Sequence, residues 1–280
     1  MTDNNGQPLT IDRYAVLGNP IAHSKSPQIH AAFAKQTGQA MHYEAILSPL
    51  DGFATTVQNL IAQGFKGANV TVPFKFEAFD LCDGLTERAQ AAGAVNTLTF
   101  TAGKIEGDNT DGAGLVSDIT KNLNVMVQNQ RILLLGAGGA AQGVLLPLLE
   151  QSVNLVVANR TIEKAERMVS KMVGFTHLSQ ASTFGGLQGQ FDVIINATST
   201  GLTDTALPIP DSIFTKNTLA YDMMYGRETP FMAQARRNGA TVADGLGMLV
   251  EQAAEAFHLW RGVRPSTQPV IQQLKQKIGI

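Results

Sequence analysis

The stretch "RILLLGAGGAAQGVLLPLLE", residues 131–150, leaves the backbone few choices. A short apolar run enters Gly136-Ala137-Gly138-Gly139-Ala140-Ala141, and a longer helix-like run follows. Apolar runs of the first length, closed by glycine, read as buried strands, and the second length reads as a helix. At this spacing Gly136 permits the tight turn, Gly138 lets backbone approach a pyrophosphate, and Ala141 allows close helix packing. The helix N-terminus then offers N–H groups and a positive dipole end to phosphates. Glycines of this kind also make plain strand–helix turns. The strand before them, the helix after them and the strand–helix–strand spacing favour dinucleotide binding.

The next strand, "LVVANRT", ends at Asn159-Arg160-Thr161, where an enzyme using NAD usually carries an acidic residue for the ribose 2′-hydroxyl. Asparagine followed by arginine suits a 2′-phosphate, because a guanidinium pairs with phosphate oxygens bidentately. Lys164, one helical turn on, adds a second charge. Taken alone, Arg160 is also compatible with a solvated strand end; after the glycine loop it favours NADP. Further on, "VIINATSTGL" closes a strand in Asn196-Ala197-Thr198-Ser199, small polar residues that suit either a ligand across the strand tips or an ordinary turn.

Strand-like and helix-like segments alternate throughout, the pattern of an α/β chain with a parallel sheet. Strands are expected at 14–18, 42–46 and 67–72, with helices from Pro27 and over 53–62. Short helices follow around 76–81 and 86–91, then a hairpin from "AVNTLTF" and "GKIEG". A helix near Gly114 leads into the second series, with strands at 131–135, 155–158, 192–196, 219–222 and 241–243. Helices over 249–260 and 269–277 have no strand after them. The expected domains are residues 1–113, completed by the C-terminal helices 249–280, and an inserted Rossmann-like domain over 114–248.

Composition excludes several classes. With 280 residues and 44% hydrophobic content the chain can bury a large core, and a formal charge of −2 offers no basic footprint for nucleic acid. The single cysteine, Cys82, rules out an internal disulfide framework and a cysteine-based zinc site, and suits a reducing cytoplasm. The polar N-terminal "MTDNNGQPLT" lacks the apolar core of a leader, and no apolar run approaches the roughly 18 residues of a membrane span. Neither membrane nor metal is expected. The sequence leaves the oligomeric state open, a homodimer among the candidates.

Two stretches of the first half carry chemistry. In "GNPIAHSKSPQIHAAFAKQTG", Ser26 before Pro27 reads as an N-cap with proline at the first helical position, and Ser24 and Ser26 supply two hydroxyls at a helix terminus. Capping alone also accounts for them. His23 and His30 lack metal-ligand spacing and read as ordinary histidines. "GANVTVPFK", residues 67–75, reads as a strand that ends by presenting Lys75.

Together, "GNPIAHSKSP", "GANVTVPFK", "AGAVNTL", "GDNTDG", "LLGAGGAA", "NRT", "INATSTG", "DMMYG" and "DGLGMLVEQA" resemble the motifs of the shikimate dehydrogenase family, in family order, from about Tyr14 to Val270. The resemblance implies a substrate domain, an inserted Rossmann-like domain and C-terminal helices packing back on the first. It implies reversible reduction of 3-dehydroshikimate to shikimate by NADPH, in aromatic amino-acid biosynthesis. Lys75 matches the catalytic lysine at the interdomain cleft and Asp111 its partner; which of them moves the proton stays open. A simple Lys–Asp ion pair is the structural alternative. Ser24, Ser26, Thr71, Asn96, Tyr225 and Gln252 match residues contacting the substrate hydroxyls and carboxylate. Gly136, Ala137, Gly138, Gly139 and Ala140, with Asn159, Arg160, Thr161, Ile162, Glu163 and Lys164, match the NADP loops. Met223, Gly245 and Glu87 match the nicotinamide side, and Met248 fits there or in the core. Residues 226–228 imply nothing, and 174–190 match no motif and read as variable surface structure. A quinate/shikimate dehydrogenase using NAD or NADP, and a non-catalytic nucleotide sensor on the same fold, are the competing readings.

Overall fold

The computed structural model describes residues 11–200 and 203–278. The polar N-terminal stretch expected to carry no leader lies outside the described residues, as do Gly201 and Leu202 of the "INATSTGL" segment. The chain packs as two compact units, one running to Thr110 and including Gln252–Gln272, the other Asp111–Glu251 with residues 273–280.

The first unit holds β1 (Asp12–Gly18), α1 (Ser26–Thr37), β2 (Met41–Leu47), α2 (Phe53–Ala62), β3 (Gly67–Val70), α3 (Lys75–Leu81), β4 (Gly84–Leu85), α4 (Glu87–Ala92), β5 (Thr97–Thr101) and β6 (Lys104–Asp108). Its sheet runs β2-β1-β3-β5-β6-β4. The first three strands are parallel, and β5 pairs antiparallel with both β3 and β6. Strand β1 shows the period of two that a sheet covered on both faces imposes. Ala15 and Leu17 join Phe53, Val57 and Phe74 on one face, while Tyr14 and Val16 join Tyr43 on the other, with Trp260 packed against them.

The second unit begins with α5 (Asp111–Ser117) and a π-turn at Asp118–Asn122. Then come β7 (Arg131–Leu135), α6 (Gly139–Leu149), β8 (Asn154–Ala158), α7 (Ile162–Ser170), β9 (Ser179–Ser182), β10 (Val193–Asn196), β11 (Leu219–Asp222), α8 (Pro230–Arg237) and β12 (Thr241–Ala243). The sheet order β12-β11-β10-β7-β8-β9, parallel throughout, is the doubly wound dinucleotide-binding order. Two helices close the chain, α9 (Leu246–Arg261) and α10 (Gln268–Ile278).

Several boundaries differ from the sequence expectation, each for a physical reason. Strand β3 stops at Val70, not Val72: Pro73 cannot donate to a ladder, and Phe74 N–H bonds Thr71 O at 3.1 Å in a turn. Helix α5 starts at Asp111, ahead of Gly114. Its glycines weaken helix propensity, but a Cβ on Gly112 would stand 2.4 Å from Pro147 Cγ, so glycine lets α5 lie on α6. The stretch 174–190 contains a strand, since "SQAS" pairs in parallel with β8 from Leu155↔Ser179 to Ala158↔Ser182. A sheet edge forms through backbone hydrogen bonds and needs no apolar alternation in its side chains. Helix α9 begins at Leu246, three residues before the expected start at 249.

Candidate active site

In the first unit the candidate substrate residues gather where β3 and β5 leave the sheet. Val70 N–H bonds Asn96 O at 2.8 Å, and Val95 N–H bonds Lys75 O at 2.9 Å, which holds the first turn of α3 beside Asn96. Lys75 is therefore the first residue of a short helix, not the end of a strand. Phe74, fully buried and stacked on Phe53 at 4.9 Å, anchors the turn from below. Thr71 lies against Gly18, where a Cβ would come within 2.5 Å of its methyl carbon, and its N–H bonds Leu17 O at 2.9 Å.

Asn96 is 2% exposed and surrounded by polar partners. Its Oδ1 accepts from Thr110 N–H at 2.9 Å and from the Thr97 hydroxyl at 2.8 Å. Its Nδ2 donates to Thr110 Oγ1 at 3.0 Å and to Gln252 Oε1 at 3.4 Å. Asn69 donates to Thr97 Oγ1 at 3.0 Å and to Asn96 O at 3.2 Å, and accepts from the Tyr43 hydroxyl at 2.8 Å. Burial pushes the Tyr43 phenol well above its ordinary range, against a smaller opposing hydrogen bond with Ser26.

Asp108, just ahead of the "NTD" turn, is gripped by Arg88 through Nε at 2.7 Å and Nη2 at 2.6 Å. Burial works to raise its pKa, but the Arg88 and Thr86 hydrogen bonds, the Arg88 charge and Asn109 N–H outweigh it and hold the carboxyl below its ordinary value. Arg88 also reaches Glu255 at 3.1 Å, tying α4 to α9 within this unit. A fixed Asp108 fixes the turn that delivers Thr110 to Asn96.

In the second unit, Gly136 adopts φ +108, a region open to glycine, and its N–H bonds Ala158 O at 2.8 Å. Gly138 has an ordinary extended backbone, and a Cβ there would meet nothing within 4 Å. It is also the N-cap of α6 and makes no side-chain cap. This open, side-chain-free approach to a helix N-terminus fits a pyrophosphate. At the end of β8, Asn159 Nδ2 bonds Thr161 O at 2.9 Å, while Arg160, Thr161, Glu163 and Lys164 are exposed. No ion pair engages Arg160 among the described residues, which leaves it available to a 2′-phosphate.

Three motif models match: the shikimate dehydrogenase substrate binding domain over residues 16–98, shikimate / quinate 5-dehydrogenase over 118–204, and the shikimate 5′-dehydrogenase C-terminal domain over 245–275. A Methylobacillus flagellatus protein named shikimate dehydrogenase (NADP(+)) is 60% identical over 269 residues, 95% of this chain and 99% of its own. The chain belongs to the shikimate dehydrogenase family. Among solved structures, the Ael1 enzyme of Pseudomonas putida is 48% identical with TM-score 0.91, covering 94% of this chain and 98% of its own. The Thermus thermophilus shikimate 5-dehydrogenase, solved with NADP(H) and shikimate, is 33% identical with TM-score 0.85, covering 95% of this chain and 99% of its own.

Of the residues matched to shikimate dehydrogenase motifs, Ser24, Ser26, Thr71, Lys75, Glu87, Asn96 and Gln252 lie in the first unit. Asp111, the two NADP loops, Met223, Tyr225 and Gly245 lie in the second. Asn96 and Gln252 meet directly. Met223 and Gly245 also meet: a Cβ on Gly245 would stand 2.2 Å from Met223 O, so only glycine allows that approach. Half-buried Tyr225 has its phenol raised by burial and by the Asp244 charge. Glu87 is exposed in the first turn of α4.

Three expectations need correction or narrowing. Ser26 is not the N-cap of α1: Lys25 holds that place without a side-chain cap, Ser26 begins the helix, and Ser24 Oγ accepts from Ser26 N–H at 3.3 Å. Asn196 is 1% exposed and donates to Asp222 at 3.0 Å while accepting from Thr198, which gives it a turn-fixing role. His30 is fully buried, stacked on Tyr43 at 4.0 Å, and burial drives its pKa down to about 3. Sequence reasoning assigned no role to Tyr43, Asn69, Thr97 or Thr110. The available signal was an asparagine inside the otherwise apolar "GANV" strand, since a buried amide needs partners.

Proposed function

We propose that the chain catalyses the reversible reduction of 3-dehydroshikimate to shikimate with NADPH, a step in aromatic amino-acid biosynthesis. The first unit takes the substrate and the second the cofactor. The observation that carries the reading is the hydrogen-bonded amide pair of buried Asn96 and half-buried Gln252 beside Lys75, in a chain 60% identical to a relative named for this NADP-dependent activity. Paired amides of fixed orientation recognise hydroxyl groups, and a polyhydroxylated ring carboxylate presents several.

Bound NADPH supplies the hydride, and every other demand falls on the chain. A ketone taking up hydride becomes an alkoxide, which needs a proton and a nearby positive charge as it forms. The Lys75 ammonium and the Asp111 carboxylate are the pair assigned to that work. Asn96, Gln252, Thr71 and Tyr225 bind ring hydroxyls, and Ser24 and Ser26 hydrogen-bond the substrate carboxylate. Gly136–Ala140 receive the pyrophosphate, Asn159–Lys164 the adenosine 2′-phosphate, and Met223 and Gly245, with Glu87, are assigned to the nicotinamide side. The single free thiol, Cys82, suits the reducing cytoplasm.

Turnover followed by nicotinamide absorbance, with shikimate or quinate and NADP+ or NAD+, tests the assignment. Shikimate with NADP+ is the expected best pair, and a folded chain inert toward it refutes the reading. Lys75→Ala is expected to lower kcat by about 10²–10⁴-fold with an unchanged melting temperature. A destabilised variant of normal kcat would make Lys75 a structural cation.

A further inference from the structure

Three neighbouring strands of the second unit end in one row. The register pairs Leu135 of β7 with Asn196 of β10, and Asn196 with Asp222 of β11. In a doubly wound sheet, ligands lie outside these carboxyl ends where the strand order reverses, here between β7 and β10. Asp222 is 0% exposed, and no ion pair engages it among the described residues. Three donors converge on its carboxylate instead. Oδ2 accepts from Asn196 Nδ2 at 3.0 Å and from the Thr229 hydroxyl at 2.6 Å, and Oδ1 accepts from Met224 N–H at 3.0 Å. Among the described residues none of the three has a second acceptor. Thr229 Oγ1 also caps α8, accepting Met232 N–H at 3.3 Å.

Two of these donors belong to turns at the cofactor loops. Asn196 Oδ1 holds the Thr198 N–H at 3.1 Å and the Thr198 hydroxyl at 2.7 Å. That turn lies on the glycine loop: a Cβ on Gly136 would stand 3.2 Å from Ala197 O and 3.3 Å from Thr198 Cγ2. Met223 N–H bonds Asn196 O at 3.0 Å, which leaves Met224 N–H as the next amide along the turn. Past that point the turn hangs on Asp222 and on Gly245 N–H, which bonds Met224 O at 2.9 Å.

We propose that Asp222 is a positioning residue for the cofactor: its carboxylate locks the turn carrying Met223 to the turn that lies on the glycine loop, holding the nicotinamide and pyrophosphate ends in one register. This rests on the function proposed above, which assigns Met223 to the nicotinamide side. Asparagine has the same shape and cannot do the same work, because only a carboxylate accepts at both oxygens. An amide oxygen in the Oδ2 place serves Asn196 and Thr229 but turns its NH2 against Met224 N–H. In the Oδ1 place it serves Met224 and turns its NH2 against the Asn196 NH2. Asn196 is 1% exposed and Met224 half-buried, so stranding Asn196 is the costlier arrangement. Asp222→Asn therefore releases the Met223 side and keeps the glycine-loop side.

Binding separates this work from simple stabilisation. NADPH is titrated by nicotinamide fluorescence, and 2′-phospho-ADP-ribose, which lacks the nicotinamide ring, by displacement of NADPH. Asp222→Asn is expected to weaken NADPH about three- to tenfold and to leave the ringless nucleotide within about twofold. Thr229→Val removes the α8 cap and one donor only, so its melting temperature should fall while both affinities hold. Equal losses for the two nucleotides in Asp222→Asn would make the carboxylate purely structural and overturn the proposal. A Thr229→Val chain that weakens NADPH as much, or an Asp222→Asn chain that does not fold, would do the same. A wild-type chain that binds neither nucleotide overturns the functional reading and this inference with it. Normal wild-type binding with an indifferent Asp222→Asn overturns the inference alone.

Discussion

Removing the His30 imidazole should flatten the response of stability to acid. Phe33, Tyr43, Phe257 and Trp260 surround this ring with centroids 4.0–6.2 Å away, and its nitrogens make no well-formed hydrogen bond, with Asn69 the polar group beside them. Burial, only partly offset by nearby Asn69, lowers the pKa from 6.5 to about 3. Above 6.5 the imidazole is neutral in both folded and unfolded chains, and its protonation costs nothing. Below 6.5 the unfolded chain binds a proton that the folded chain refuses, so stability falls with pH until about 3, where the folded site protonates as well. From about pH 7.5 to about pH 5.5 the loss from this one group is about 1.4 kcal/mol, and by about pH 4.5 it reaches about 3 kcal/mol. His30→Leu keeps similar volume, loses the stacking, and costs about 1–2 kcal/mol at neutral pH. Trp260 is the sole tryptophan and lies 5.6 Å from His30, so its fluorescence reports unfolding of this cluster in urea. The wild-type advantage over the variant should shrink by about 1.4 kcal/mol on going from about pH 7.5 to about pH 5.5. Contributions from the remaining titrating groups cancel in that difference. Parallel stability curves would show that the folded site accepts a proton readily, and would refute the account of a neutral, caged imidazole.

Other tests address the nucleotide half. Arg160→Ala should lower kcat/KM with NADP+ about ten- to hundredfold and leave NAD+ almost untouched, since NAD lacks the phosphate; equal losses would make Arg160 structural. Raised salt should weaken the wild-type preference, because the arginine is exposed and its partner screened. Gly138→Ala puts a methyl group where no atom stands within 4 Å, so the melting temperature should hold while KM for NADP+ rises by about tenfold or more. Gly245→Ala puts its Cβ 2.2 Å from Met223 O and should instead lose about 1–3 kcal/mol of stability; a stable Gly245→Ala would contradict that packing.

The glycine loop was fully legible in the sequence because its signal is local. One strand, one turn needing φ > 0 and one helix N-terminus lie within twenty residues, and the side chains that matter are those that are missing. The place of Arg160 in the chain, just past the end of β8, was legible for the same reason, and the Gly136 N–H bond to Ala158 O sets that strand end beside the loop. Helix and strand existence followed from periodicity, which neighbouring residues alone set. The ends of elements were decided elsewhere: Gly112 sits in a helix because Pro147 needs the room, and "SQAS" becomes a strand because β8 offers an edge. Ser26 looked like a cap, but the chain turns one residue earlier at Lys25. The polar chain from Tyr43 to Gln252 lay beyond sequence reasoning. Its members come from β2, β3, the start of β5, the turn after β6, and α9, and every hydrogen bond but the one between neighbours Thr97 and Asn96 joins residues whose spacing along the chain predicts no contact. The sequence by itself determined which backbones could form and which residue types could do chemistry. Only the tertiary structure decided which buried amides face each other and which way their protons point, because burial leaves a polar group no partner except those that packing brings to it.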